Sequence, residues 1–207
     1  MKIGRRYTWN YYEERFIPRT IEFTMDGFQS EVNAEDDLLK VDVAFELFIS
    51  AEDELDAYES NVQGSGYDEY RELYKLKLKQ KMTSHFFAVS LFHIIEKTIK
   101  NEIVRLDNSG SNLPSSLKDC AKKLTKFEQG FDIRHFEDFR YIDKLRQVAN
   151  SAKHALTVDD NIAQIHRTFK LDDELPCLGD FFHEEKIIPR AWSFLREFHR
   201  KVQMNKP

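Results

Sequence analysis

Hydrophobic residues recur along most of this chain at three- and four-residue intervals, the period of an amphipathic α-helix. Leu38, Val41, Phe45, Phe48, Ile49, Leu55 and Tyr58 carry the first such stripe. It predicts a helix beginning beside Asn33 as N-cap, with Glu35, Asp36 and Asp37 facing the positive end of the helix dipole. Gly64-Ser65-Gly66 ends it. From Tyr67 the pattern resumes and runs without Gly or Pro to about Leu106, a length that predicts a bend or break near Thr83-Ser84. Ala88, Leu91, Phe92, Ile95, Ile99 and Ile103 form its clearest core stripe.

Asp107 to Pro114, rich in Ser, Asn and Gly, reads as a loop. Ser115 and Ser116 then cap a short helix carrying Leu117, Cys120 and Leu124, with Gly130 closing it. A longer helix from about His135 to Leu156 lines one side with Phe136, Phe139, Ile142, Leu145, Val148, Ala149, Ala152 and Leu156. A shorter helix around Asn161 to Phe169 leads into a loop with Pro176 and Gly179, and a last helix, roughly Glu184 to Gln203, shows Ile187, Ile188, Ala191, Phe194, Leu195 and Phe198. The pattern predicts an all-α fold, an antiparallel bundle of four main helices plus short accessory ones, over residues 33–207. Residues 1–32 are set apart: Trp9, Tyr11, Tyr12, Phe16, Phe23 and Phe28 alternate with Arg5, Arg6, Arg15 and Arg19, interrupted by Pro18 and Gly27. They read as a strap or short helices, better suited to packing or dimerisation than to stacking on bases.

Composition supports the same class. With 207 residues, 41% hydrophobic and 32% charged, the chain can bury a core about the size of one domain, and 7 Gly with 5 Pro supply few of the tight turns a many-stranded sheet needs. The formal net charge of -5 excludes a uniformly basic surface, so any nucleic-acid contact has to come from a local patch. Cys120 and Cys177 stand far apart with no Cys-x-x-Cys pair, which points to reduced thiols rather than disulfides or zinc. No stretch is apolar and long enough to span a bilayer, and a cytoplasmic location is expected.

The chemistry concentrates in Leu145-Arg146-Gln147-Val148-Ala149-Asn150-Ser151-Ala152-Lys153-His154. Arg146, Asn150 and His154 follow at four-residue steps, so they share one face of a helix with Asp143 and Gln147, opposite Leu145, Val148 and Ala152. Polar stripes are commonly solvated faces, and that reading has an even claim here. Asn, however, is a poor interior helix residue, and the trio combines a fixed cation, an amide and an imidazole. Such a set suits metal-free RNA cleavage: His154 moving a proton, Arg146 stabilising the phosphorane, Asn150 orienting either, with Gln147 and Lys153 as substrate contacts. No metal or cofactor is required. One helix cannot enclose a substrate, so a homodimer with a second stripe is expected.

These residues resemble the HEPN superfamily of helical bundles, whose motif is an arginine, four to six residues and a histidine, often with a polar residue after the arginine. The resemblance implies a dimer and a metal-independent ribonuclease of the kind found in toxin-antitoxin, CRISPR and antiphage systems. His154 matches the motif histidine and Asn150 the polar position. The arginine departs from the pattern: with four intervening residues it would fall at Ala149, whereas Arg146 lies a turn earlier. The competing class is a non-catalytic bundle acting as an interaction or regulatory module, with a protein partner and the same stripe as a dimer seam.

Other sites have plainer readings. His93 and Glu96 could form an acid-base pair, but Glu96 is better placed to pair with Lys100. His183-Glu184-Glu185 lacks the second histidine of a zinc-protease motif, Ile187 standing in its place, and reads as a helix start. Asp159-Asp160 and Asp172-Asp173-Glu174 read as caps or loops rather than cation ligands. Glu52, Asp53, Glu54, Asp56 and Glu59 read as a solvated acidic face.

Overall fold

In this computed structural model the described residues are 7–10, 15–18, 34–61, 66–107, 114–127 and 130–204. They are mostly helical. Helix α1 spans Ala34–Asn61, α2 Tyr67–Leu106, α3 Leu117–Leu124, α4 Phe139–His154, α5 Asp160–Ala163, α6 Gly179–Glu184 and α7 Ile187–Met204, with a single 3-10 turn at Ile133–His135 before α4. Ahead of them, β1 (Tyr7–Asn10) pairs antiparallel with β2 (Arg15–Pro18), Tyr7 opposite Pro18 and Asn10 opposite Arg15. The N-terminal strap therefore contains a two-stranded ladder where short helices were the other expectation; Tyr7, Thr8, Trp9, Phe16 and Ile17 are aromatic or β-branched types that favour extended chain. Tyr11, Tyr12, Phe23, Phe28, Arg5, Arg6, Arg19, the cap Asn33 and Gly64-Ser65 lie outside the described residues, as does most of the 107–114 loop.

Helix α2 is the hub, packing on α1, α3, α4 and α7. Its stripe of Phe87, Ala88, Leu91, Ile95, Ile99 and Ile103 is almost wholly out of solvent. From α1 come Phe45 and Phe48, and from α6 Phe182; Phe45–Phe87, Phe87–Phe182 and Phe48–Phe182 ring centroids lie 5.1, 5.0 and 5.8 Å apart. Pairs of this kind add about 0.5 to 1.5 kcal/mol each beyond the area they bury. A second aromatic group joins Phe131, Phe136 and Phe139 to Phe194 and Phe198 of α7.

The long α2 does not break at Thr83-Ser84. Both hydroxyls turn back onto their own helix, Thr83 Oγ1 to the carbonyls of Lys79 and Gln80 and Ser84 Oγ to that of Lys81, and the helix continues through them. The buried residues of α2 begin only at Ser84. Residues 67–83, about 25 Å of helix, form a two-helix arm with the end of α1, held by Lys79–Glu54 (2.6 Å), Lys77–Glu59 (3.2 Å) and the Tyr58 hydroxyl donating to the Glu69 carbonyl (3.0 Å). Along this arm Tyr67, Tyr70, Tyr74, Leu78 and Met82 are exposed, Tyr67 by 79% and Tyr74 by 61%.

Several predicted boundaries move. Ser116 caps α3, accepting from Asp119 N–H, but the helix stops at Thr125; Gly130 lies beyond it, where a Cβ would stand 2.6 Å from the Thr125 carbonyl oxygen. The helix expected from His135 starts at Phe139, because Phe136 takes extended backbone. Its far end is His154, since Leu156 adopts φ 54 and is exposed rather than on the apolar side. The helix around Asn161–Phe169 is one turn, capped by Asp159. The last helix, expected from about Glu184 to Gln203, is α7 and starts three residues later at Ile187, because Lys186 turns at φ 52 after the separate short α6, which ends at Glu184.

Ser84 joins core to loop, its hydroxyl accepting the buried Leu178 N–H at 3.0 Å. Removing it leaves that N–H without its partner in an apolar setting, so Ser84→Ala should cost about 1 to 3 kcal/mol in urea unfolding. A loss under about 0.5 kcal/mol, the range of an ordinary surface change, would show that the bond does not fasten the 174–178 loop.

Candidate functional site

Burial fixes which way α4 faces. Ile142, Leu145, Val148 and Ala149 sit in the core against α2 and α7, and Asp138, buried at the head of the helix, accepts a 2.9 Å bond from Arg190 Nη1 of α7. The Arg140 and Arg190 guanidinium groups lie 4.6 and 4.8 Å from the centroid of the Tyr141 ring, locking the first turn further. The opposite face therefore points outward.

On that face Asn150, Lys153 and His154 are exposed, and Arg146 and Gln147 are half-exposed. The expected stripe is thus assembled on one side, about 12 Å long from Arg146 to His154 at 1.5 Å rise per residue. Asp143 organises its first turn: Arg146 Nε donates to Asp143 Oδ1 at 2.8 Å and Gln147 Nε2 to Oδ2 at 3.0 Å. An exposed pair of this type is worth only about 0.2 to 0.5 kcal/mol, and Arg146 keeps further N–H donors at its Nη groups. Lys153 and His154 occupy the last turn, where cations meet the negative end of the helix dipole. That placement gives them a structural role as well as a chemical one. Ala149, the position at which the resembled motif would put its arginine, is 3% exposed and packs into the core. An arginine there would be driven into apolar surroundings, so the arginine on the histidine's face is Arg146.

The remaining sequence candidates fall to plain roles. Glu96 pairs with Lys100 at 3.3 Å, and His93 is exposed. His183-Glu184-Glu185 lies at the end of α6, not at a helix start: the acids there are used in contacts, Glu184 with His166 Nε2 (2.9 Å) and Arg167, Glu185 with Lys144 (2.7 Å). The Arg167 guanidinium and then the His166 bond hold the Glu184 carboxyl below its ordinary range. Asp172 and Asp173 turn the chain so that 172–175 pairs by backbone with Leu156 and Val158, and Glu174 reaches Lys81 at 2.7 Å. No group of three metal-ligating side chains converges among the described residues. Burial pushes the Cys120 thiol up to about 11 and also raises Cys177, so neither is a ready thiolate at neutral pH.

The acidic run of α1 hides one residue that its pattern did not distinguish. Glu52 is half-buried beside Phe48 and Gly179, and its carboxyl is pushed up to about 7, first by burial and then, against a bond from Gln80, by the charges of Asp56, Asp53 and Asp180. The signal available in sequence was its four-residue step from Phe48, which places it at the edge of the apolar stripe.

Compared with protein-family models, curated proteins and solved structures, the chain matches none.

The raised Glu52 carboxyl carries a stability prediction. The folded protein holds this proton more tightly than the unfolded chain, so its contribution is favourable at pH below 4.5 and is lost progressively as pH rises to about 7. Glu52→Gln should therefore melt higher than wild type above that range, the difference shrinking toward the acid end. A constant difference across the series in thermal denaturation would show that Glu52 does not titrate anomalously.

Proposed function

We propose that the protein is a HEPN-like antiparallel helical bundle that engages RNA through the outward face of α4. The observation that carries this reading is the common exposure of Asn150, Lys153 and His154 along the last turns of a helix whose other side is fixed in the core. Charge supports it: α4 holds Arg140, Lys144, Arg146 and Lys153 against the single acid Asp143, a basic segment in a chain of net charge -5. On this reading Lys153 and Arg146 meet phosphate, Asn150 orients it, and Gln147 braces Asp143 beside the arginine. His154 is the group able to move a proton at a 2′-hydroxyl or leaving oxygen without a metal. An open face binds but does not enclose, so cleavage calls for a second copy to complete the cleft.

A second reading, an interaction module that self-associates, is favoured by the exposed tyrosine row of the arm. Light scattering would then report a dimer for wild type and a monomer for Tyr74→Glu; a wild-type monomer at every concentration removes this reading.

The RNA reading predicts binding of a single-stranded oligonucleotide by fluorescence anisotropy at low salt. Lys153→Ala and Arg146→Ala should each weaken it and lower the salt slope by about 0.7, the value for one lost phosphate contact on a single strand. Any cleavage should survive chelator and vanish in His154→Ala. Absence of binding at low salt, or cleavage that persists in His154→Ala, overturns the assignment.

A further inference from the structure

Away from α4, a cavity of about 480 Å³ lies between α1, the arm-proximal part of α2 and the first turn of α6. Its volume falls within the roughly 300 to 1,000 Å³ of small-molecule sites. One side is apolar, made by the rings of Phe45, Phe48 and Phe182, all buried. The other side carries carboxylates: Glu52, half-buried, with Asp53, Asp56 and Asp180 at the exposed rim. No lysine or arginine stands among its described lining residues.

Three features make this more than an acidic surface. Glu52 is half-buried and its side chain receives one long bond, 3.5 Å from Gln80 Nε2. Gly179 opens the approach to it, since a Cβ at that position would come within 2.8 Å of Glu52 Oε1. Phe45, Phe48 and Phe182 line the cavity beside the carboxylates, and aromatic rings attract cations while their area takes up apolar groups. A bare divalent ion is not favoured here, because among the described residues no three His, Cys, Asp or Glu side chains converge closely enough to hold one.

We propose that this cavity binds a small organic cation, an amine or amidine on an apolar body of about the size of one aromatic ring, with Glu52 as its half-buried counter-charge and the phenylalanines as its wall. The site is separate from the α4 face and stands whether or not RNA binds there. The groups facing Glu52 are Asp53 and Asp56 from α1, Gln80 from α2, Cys177 from the loop, and Asp180 and His183 from α6. A cation placed among them favours the ionised form of Glu52, so binding at mildly acid pH must expel a proton.

The test is calorimetric titration of the full chain with benzamidine, which stays charged across the range, and with its neutral counterpart benzamide. Benzamidine should bind about ten-fold or more tighter than benzamide. Near pH 6 its apparent enthalpy should differ between buffers of unlike ionisation heat, reporting proton release, and the difference should disappear above about pH 8. Glu52→Gln should abolish the proton release and weaken binding about ten-fold; Asp180→Asn, an exposed change that leaves the core intact, should weaken it several-fold. Equal binding of the two probes, unchanged binding in both variants, or no heat with benzamidine at millimolar concentration would overturn the proposal.

Discussion

The main helices of the described residues are arranged around the buried run of α2 from Phe87 to Ile103. Ala88, Leu91, Ile95, Ile99 and Ile103 fall on one stripe, and α1, α3, α4 and α7 each set an apolar face against this helix. Isoleucine is stiff at its first side-chain torsion in a helix, so three of them in line give neighbouring helices a surface of fixed shape. Trimming one of these would remove contacts that cannot be recovered by collapse, which is why large-to-small changes in such interiors typically cost 2 to 5 kcal/mol.

The candidate RNA face follows from that packing rather than preceding it. Once Ile142, Leu145, Val148 and Ala149 are committed to the core, helical geometry leaves Arg146, Asn150 and His154 no direction but outward. The same constraint decides between two arginine positions. Ala149 cannot present a cation to the histidine's side, and Arg146 can. Asp143 accepts from both Arg146 and Gln147, which biases the arginine toward this face and leaves less conformational freedom for a phosphate contact to quench.

Much of the helical layout is legible in the chain because long periodic stripes outvote local detail. The bounds of α2 and the Ser116 cap of α3 follow directly from apolar spacing and cap chemistry. What escaped notice was short or long-range. Leu156 and Lys186 take positive φ though neither is a glycine, and nothing in a one-dimensional pattern marks them as stops. The 3-10 turn before α4 is set by Asp132, whose side chain accepts the Arg134 N–H, a local contact that mimics helix propensity without continuing it. For the site, the stripe of α4 was readable since it lies within one element. Glu52 was not, because its burial, together with the contributions of Gln80 and Asp180 beside those of its neighbours Asp53 and Asp56, is created only by tertiary packing.

The uninterrupted α2 has a mechanical consequence. Its outer half is wet and lightly braced, its inner half is clamped along its buried stripe, and no hinge separates the two. Amide protons should accordingly become slower to exchange from tip to root along a single element, a gradient rather than a step. A molecule gripping Tyr70 or Tyr74 would also be twisting the same rod that carries Ile95 and Ile99. The arm is thus a lever whose fulcrum is the interior itself.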